Sequence, residues 1–159
     1  MKTYYLTLSQ VFPAAHSRAG EQTGFREKVL KSVNEPWRSD IAPKVHTIRA
    51  NYNFWRRRFE KIADGRACLS IREWVGKPYG KGSTQREIVR LTREDGIGLQ
   101  KLTIAGCRTT HPMFVDGHSV SAKQLAANDG LSEIDWRNWF WNYDLTEPLA
   151  VIQFTKFRY

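Results

Sequence analysis

The chain has 159 residues, 41% of them hydrophobic and 13% aromatic, which suits one domain with a substantial core and excludes an intrinsically disordered chain. It carries 25 Lys and Arg against 16 Asp and Glu, a formal charge of +9 at pH 7. Such an excess repels itself in the compact state and points to an anionic partner. No run approaches the ~18 apolar residues that span a bilayer.

Thr3–Leu8 is β-prone and reads as a first strand. Residues 13–24 are irregular, with Gly20 and Gly24 as breakers. Phe25, Val29 and Val33 recur every four residues, a short helix that must end before Pro36. After a connector at 39–43 comes Lys44-Val45-His46-Thr47-Ile48-Arg49. Continuous extended backbone there would put Lys44 and His46 on one face and Thr47 and Arg49 on the other. A bulge or turn would instead bring Lys44 and Thr47 to the same side.

Tyr52, Trp55, Phe59 and Ile62 make one face of a helix from Asn51 to Asp64, stopped by Gly65, with Arg56, Arg57 and Arg58 mostly off that face. Ala67–Arg72 alternates as a strand. The runs Arg86–Leu91 and Ile97–Ile104 read as two more, joined as a hairpin through Glu94-Asp95-Gly96. Ser121-x-x-Gln124 is a capping box that opens a helix to Asn128, closed by Asp129-Gly130. Ser132 caps a second helix extending through Tyr143. Its Trp136, Trp139, Phe140 and Tyr143 share a face suited to core, with Trp141 off it. Ala150, Ile152 and Phe154 mark a final strand. The class is α+β, expected as a small β-barrel of about six strands with three or four short flanking helices.

The charge is not spread evenly. Between Lys44 and Arg93 lie thirteen basic and four acidic residues, the whole net charge, while the remainder balances. Within that segment Arg72, Trp74, Lys77, Tyr79 and Lys81 interleave cations, aromatics and glycines, a composition that stacks bases while holding phosphates. It is not a P-loop, since G-x-x-x-x-G-K-[ST] is absent. Cys107, His111 and His118 match no common zinc spacing, so no metal is expected, and no other cofactor. Cys68 and Cys107 stand outside any C-x-x-C pair and read as reduced thiols. Met1–Leu8 lacks the features of a secretory leader, so a cytoplasmic location is expected, with no membrane partner.

Lys44-x-x-Thr47-x-Arg49, the aromatic helix after it, Gly65-x-x-x-Leu69-Ser70-x-Arg72 and Asp129-Gly130 before a Trp-rich helix together resemble the ASCH family of the PUA-like superfamily. The resemblance covers about residues 42–159 of a single domain, with 1–41 supplying a first strand and an N-terminal elaboration. It implies a β-barrel with a cleft for RNA or a modified nucleotide or nucleoside. Some members resemble N4-acetylcytidine amidohydrolases that use a Lys, a Thr and an acid. By motif match these places fall to Lys44, Thr47 and Asp129, the last being Glu in the enzymes. Expected ligand contacts are Lys44, His46, Thr47, Arg49, Arg72, Trp74, Lys77 and Tyr79. Two uses of this set are open, the first expected and the second its alternative. One is binding of RNA or a modified nucleotide in a basic cleft. The other is deacylation of an N4-acylated cytidine-like nucleoside, in which Lys44 activates Thr47 and Arg49 steadies the developing oxyanion.

Overall fold

The computed structural model describes residues 1–105 and 112–159. Among these the chain forms β1 (Lys2–Leu8), α1 (Phe25–Val33), β2 (His46–Arg49), α2 (Tyr52–Ala63), β3 (Ala67–Val75), β4 (Thr84–Leu91), β5 (Gly98–Ile104), β6 (Met113–Val115), β7 (His118–Val120), α3 (Ala122–Asn128), α4 (Glu133–Trp139) and β8 (Leu149–Gln153).

The strands make two sheets. One has the order β1-β3-β4, with β1 parallel to β3; the other is antiparallel in the order β2-β8-β5-β6-β7. This corrects the expected six-stranded barrel, because among the described residues no ladder joins the sheets. β5 already has partners on both sides, and the outer edges of β1 and β2 do not pair. Where a ladder would close that gap, the Arg49 guanidinium donates across it to the Thr7 carbonyl at 2.8 Å. Closure needs continuous pairing around the whole circuit.

The expected hairpin between 86–91 and 97–104 is also corrected. β4 returns against β3 through residues 76–83, and β4 and β5 lie in different sheets. Residues Arg93–Asp95 instead make a short 3-10 turn, whose start Thr92 shares a capping box with Asp95 and whose exit is Gly96 at φ 77°. That turn carries the chain from one sheet to the other. β6 and β7, joined by Asp116-Gly117, were not anticipated; they are three residues each, too short for a visible alternation.

Two cores result. Tyr4, Leu6 and Leu8 of β1, Leu69 and Ile71 of β3, and Ala150 and Ile152 of β8 pack with α1 and α2. On the other face of β8, Leu149 and Val151 pack with Ile48, β5–β7, α3 and α4. β8 is buried throughout, consistent with an apolar run serving both layers. α2 buries Trp55, Phe59 and Ile62, the expected stripe, and is capped by Asn51, which accepts from the Phe54 amide. α4 is shorter than its aromatic spacing indicates. It ends at Trp139, and i→i+3 bonds at Trp141 and Tyr143 continue as a turn. The Tyr143 ring still packs on Phe140, at 4.7 Å between centroids. No described helix is long and apolar enough to cross a membrane.

Candidate active site

Lys44 follows Pro43 and precedes β2, so it escapes the alternation of the strand. Its amide donates to the Ser32 hydroxyl and the Lys28 carbonyl of α1, while the Val45 amide donates to Asn128 at the end of α3. These bonds turn the lysine side chain inward. It is 1% exposed, and Nζ donates to both Asp129 Oδ1 at 2.5 Å and the Asp129 carbonyl at 2.7 Å. The Phe25 ring lies 4.0 Å from the ammonium and adds a cation–π attraction.

Asp129 is placed by the end of α3. Its amide closes the last turn on Leu125 and Ala126, and Gly130 then takes a left-handed φ of 78°. A side chain at Gly130 would meet the Lys44 Cβ at 3.2 Å, so glycine serves both the turn and the close approach. Lys28 Nζ holds the Gly130 carbonyl at 2.7 Å from the other side. Asp129, one methylene shorter than a glutamate, still reaches Lys44 in full.

Burial dominates the titration of this pair. It pushes the Lys44 ammonium down from 10.5 to about 8, although Asp129 opposes the shift. Burial likewise raises the Asp129 carboxyl, against the pull of Lys44 and Arg49. The Trp136 side chain also favours the ionised acid.

Within β2, alternation sends Thr47 and Arg49 to the side of Ile152 and Ala150, and His46 and Ile48 to the other side. Thr47 and Arg49 thus share a wall with Lys44 and Asp129. The cleft they line measures about 480 Å³ and opens in the gap between β1 and β2. Phe25, Trp139, Phe140 and Tyr143 give it aromatic walls, and Thr7, Ser9 and Asn142 add polar groups. Among the described residues the Thr47 hydroxyl has no hydrogen-bond partner, and Arg49 bonds only backbone carbonyls, those of Ile48 and Thr7. Arg49 has no carboxylate partner there, so its charge is available to a ligand. Burial pushes its guanidinium below the ordinary value.

His46 does not line the cleft; it is fully buried behind it. Nε2 lies 2.7 Å from the Tyr159 hydroxyl, which also accepts from Asn128 Nδ2 at 3.0 Å. Burial and Lys44 push His46 well below its ordinary pKa, so the ring is neutral. Among the described residues Nδ1 has no hydrogen-bond partner, and it faces Asp129 Oδ1 at 4.0 Å. A bare lone pair facing a carboxylate would be repelled. The tautomer with Tyr159 donating to Nε2 and the proton on Nδ1 makes that approach attractive.

The remaining expected ligand residues lie elsewhere. Arg72 and Trp74 are on β3, and Lys77 and Tyr79 are in the loop to β4; none lines the cleft. The basic segment is similarly dispersed, and Arg56, Arg66, Arg86, Arg90 and Arg93 are each paired to a carboxylate. Arg58 packs its guanidinium over Phe54, Trp55 and Tyr4. His118 is exposed on β7, whereas Cys107 and His111 fall outside the described residues.

Sequence reasoning missed the aromatic walls, because Phe25, Trp139 and Phe140 carry the same helical spacing as core. It also missed Asn128 and Tyr159, whose roles depend on contacts between distant segments. Comparison of the chain with protein-family models, curated proteins and solved structures gave no match.

Proposed function

We propose that the cleft deacylates an N-acylated nucleobase, an N4-acetylcytidine-like nucleoside being the substrate that best fits the ASCH-like motif. The observation that carries this reading is the state of Lys44. A lysine that grips phosphate keeps its ammonium at the surface, but Lys44 is buried and spends its ammonium on Asp129. Burying such a pair is costly compared with packing apolar groups in its place. A depressed pKa near 8 is what a general base working near neutral pH requires.

In the reaction, neutral Lys44 keeps its N–H bonds to Asp129 and offers its lone pair to the Thr47 hydroxyl. Thr47 Oγ1 attacks the amide carbonyl as its proton passes to Lys44. Arg49 stabilises the charge that develops on the carbonyl oxygen. The tetrahedral adduct collapses, the proton on Lys44 passes to the departing exocyclic amine, and the acyl group remains as an ester on Thr47. Water, deprotonated by Lys44, then attacks the ester carbonyl; Thr47 Oγ1 leaves, takes that proton from Lys44, and the free acid departs. Phe25, Trp139 and Tyr143 supply faces for the base. The nucleotide-binding alternative uses the same cleft but gives the buried lysine no task.

The test is incubation with N4-acetylcytidine, following release of cytidine and acetate. Thr47→Ala and Lys44→Met should abolish turnover with the fold intact, and quenching a reaction of the intact protein should trap one acetyl group on Thr47. Full turnover by Thr47→Ala would exclude the covalent route. Absence of turnover by the folded wild type would exclude this substrate.

A further inference from the structure

The three-stranded sheet has a second face that neither core covers. Pairing of Tyr5 with Ser70, Arg72 with Glu87 and Trp74 with Gln85 puts these side chains together on the side opposite Leu6, Leu69 and Ile71. Tyr5 is 53% exposed there, and the Arg72 guanidinium stacks 4.6 Å from its ring centroid. Arg72 is fixed in turn by Nε donating to Ser70 Oγ, itself bonded to Glu87. Farther along β3 the Trp74 ring packs 4.9 Å from Tyr79, which is 90% exposed in the β3–β4 loop.

We propose that this face binds single-stranded nucleic acid, stacking splayed bases on the Tyr5–Arg72 and Trp74–Tyr79 pairs. Among the described residues Arg72, Lys77 and Lys81 have no ion-pair partner, whereas Glu87 is held by Arg90 and Ser70. The free charge of the face is therefore positive and complements a phosphate backbone. Aromatic rings and stacked guanidinium planes receive bases of any sequence. Arg72 and Trp74 are two residues apart on one strand, about 7 Å. That is about twice the ~3.4 Å rise of stacked bases, so the platforms suit an unstacked single strand rather than a duplex. An acidic protein would use the cations but leave the rings without a role. The proposal stands apart from the chemistry of the cleft, which faces the β1–β2 gap.

The experiment measures anisotropy of a fluorescent, unmodified oligouridylate on the full chain carrying Thr47→Ala, so deacylation plays no part in the result. Tyr79→Ala, Trp74→Ala and Arg72→Ala should each weaken binding at least about fivefold, while Arg56→Ala on α2 changes it little. Tyr79 is almost wholly exposed, so its variant reports binding even if Trp74→Ala disturbs the fold. Log affinity should fall with log salt by about 0.7 per phosphate neutralised. An oligothymidylate arm tells whether the 2′-hydroxyl is read. Equal binding of a duplex, displacement by polyglutamate at equal charge, or unchanged affinity in Tyr79→Ala and Arg72→Ala would overturn the proposal.

Discussion

Lys44 Nζ and Asp129 Oδ1 meet at 2.5 Å across 85 residues of sequence, both side chains almost completely buried. The contact welds the segment before β2 to the end of α3. Removing one partner strands the other charge, so Lys44→Met or Asp129→Asn should cost about 3–5 kcal/mol. Replacing both with apolar residues of similar volume should restore much of the loss. Urea denaturation of the two single variants and the double variant measures this directly.

The same pair sets a pH signature. Lys44 holds its proton less tightly when folded, at about 8, than at its ordinary 10.5. Between those values the unfolded chain binds more protons, so this group makes stability rise with pH across that window. Below about 8 both states are protonated and its contribution is flat. Denaturation midpoints from pH 7 to 11 should show the rise in the wild type and lose it in Lys44→Met. The proposed deacylation, which needs neutral Lys44, should increase with pH around a midpoint near 8. Asp129→Asn removes the charge that supports the ammonium and should move that midpoint lower.

Gly130 combines a left-handed backbone with contact to the Lys44 Cβ. Gly130→Ala should cost at least about 1–2 kcal/mol from backbone strain alone. It should also loosen the Lys44–Asp129 contact, which weakens the support of the ammonium and moves the activity midpoint lower, as in Asp129→Asn. Gly20, with open space around it, should tolerate alanine better in the same assay.

Tyr159 supports the acid from behind through His46. Tyr159→Phe leaves His46 Nε2 and Asn128 Nδ2 without their shared partner, a cost of about 1–3 kcal/mol. Nitrogen-15 shifts of His46 should report a neutral ring protonated at Nδ1 in the wild type. A proton found on Nε2 would refute the assigned tautomer.

Much of the local structure was legible because its signals are local. The stripe of α2, the capping box of α3 and the Gly65 stop each act within a few residues. Strand partnership was not, since turn residues occur on both sides of β4 and either could make a hairpin. What decided it was burial: Leu91 and Val89 complete the core beside Leu69 and Ile71, which requires β4 to lie against β3. At the site, the spacing of Lys44 and Thr47 admitted a shared face only if the backbone broke alternation. That break is visible only once α1 and α3 are seen to hold residues 44 and 45. His46 sits in the same short motif but is turned away, and its partner Tyr159 carries no pattern that would announce it.

The gap between β1 and β2 is spanned by one arginine rather than by a ladder of amides. Rotating Arg49 frees the Thr7 carbonyl without breaking any strand pairing. A ligand that recruits the guanidinium would unfasten this latch as it binds. Amides near Thr7 and Arg49 should then exchange with solvent faster in Arg49→Ala than in the wild type, while the centre of β8 stays protected. Without a closed barrel among the described residues, the cleft is left with a seam that one side-chain bond crosses where a ladder would otherwise run.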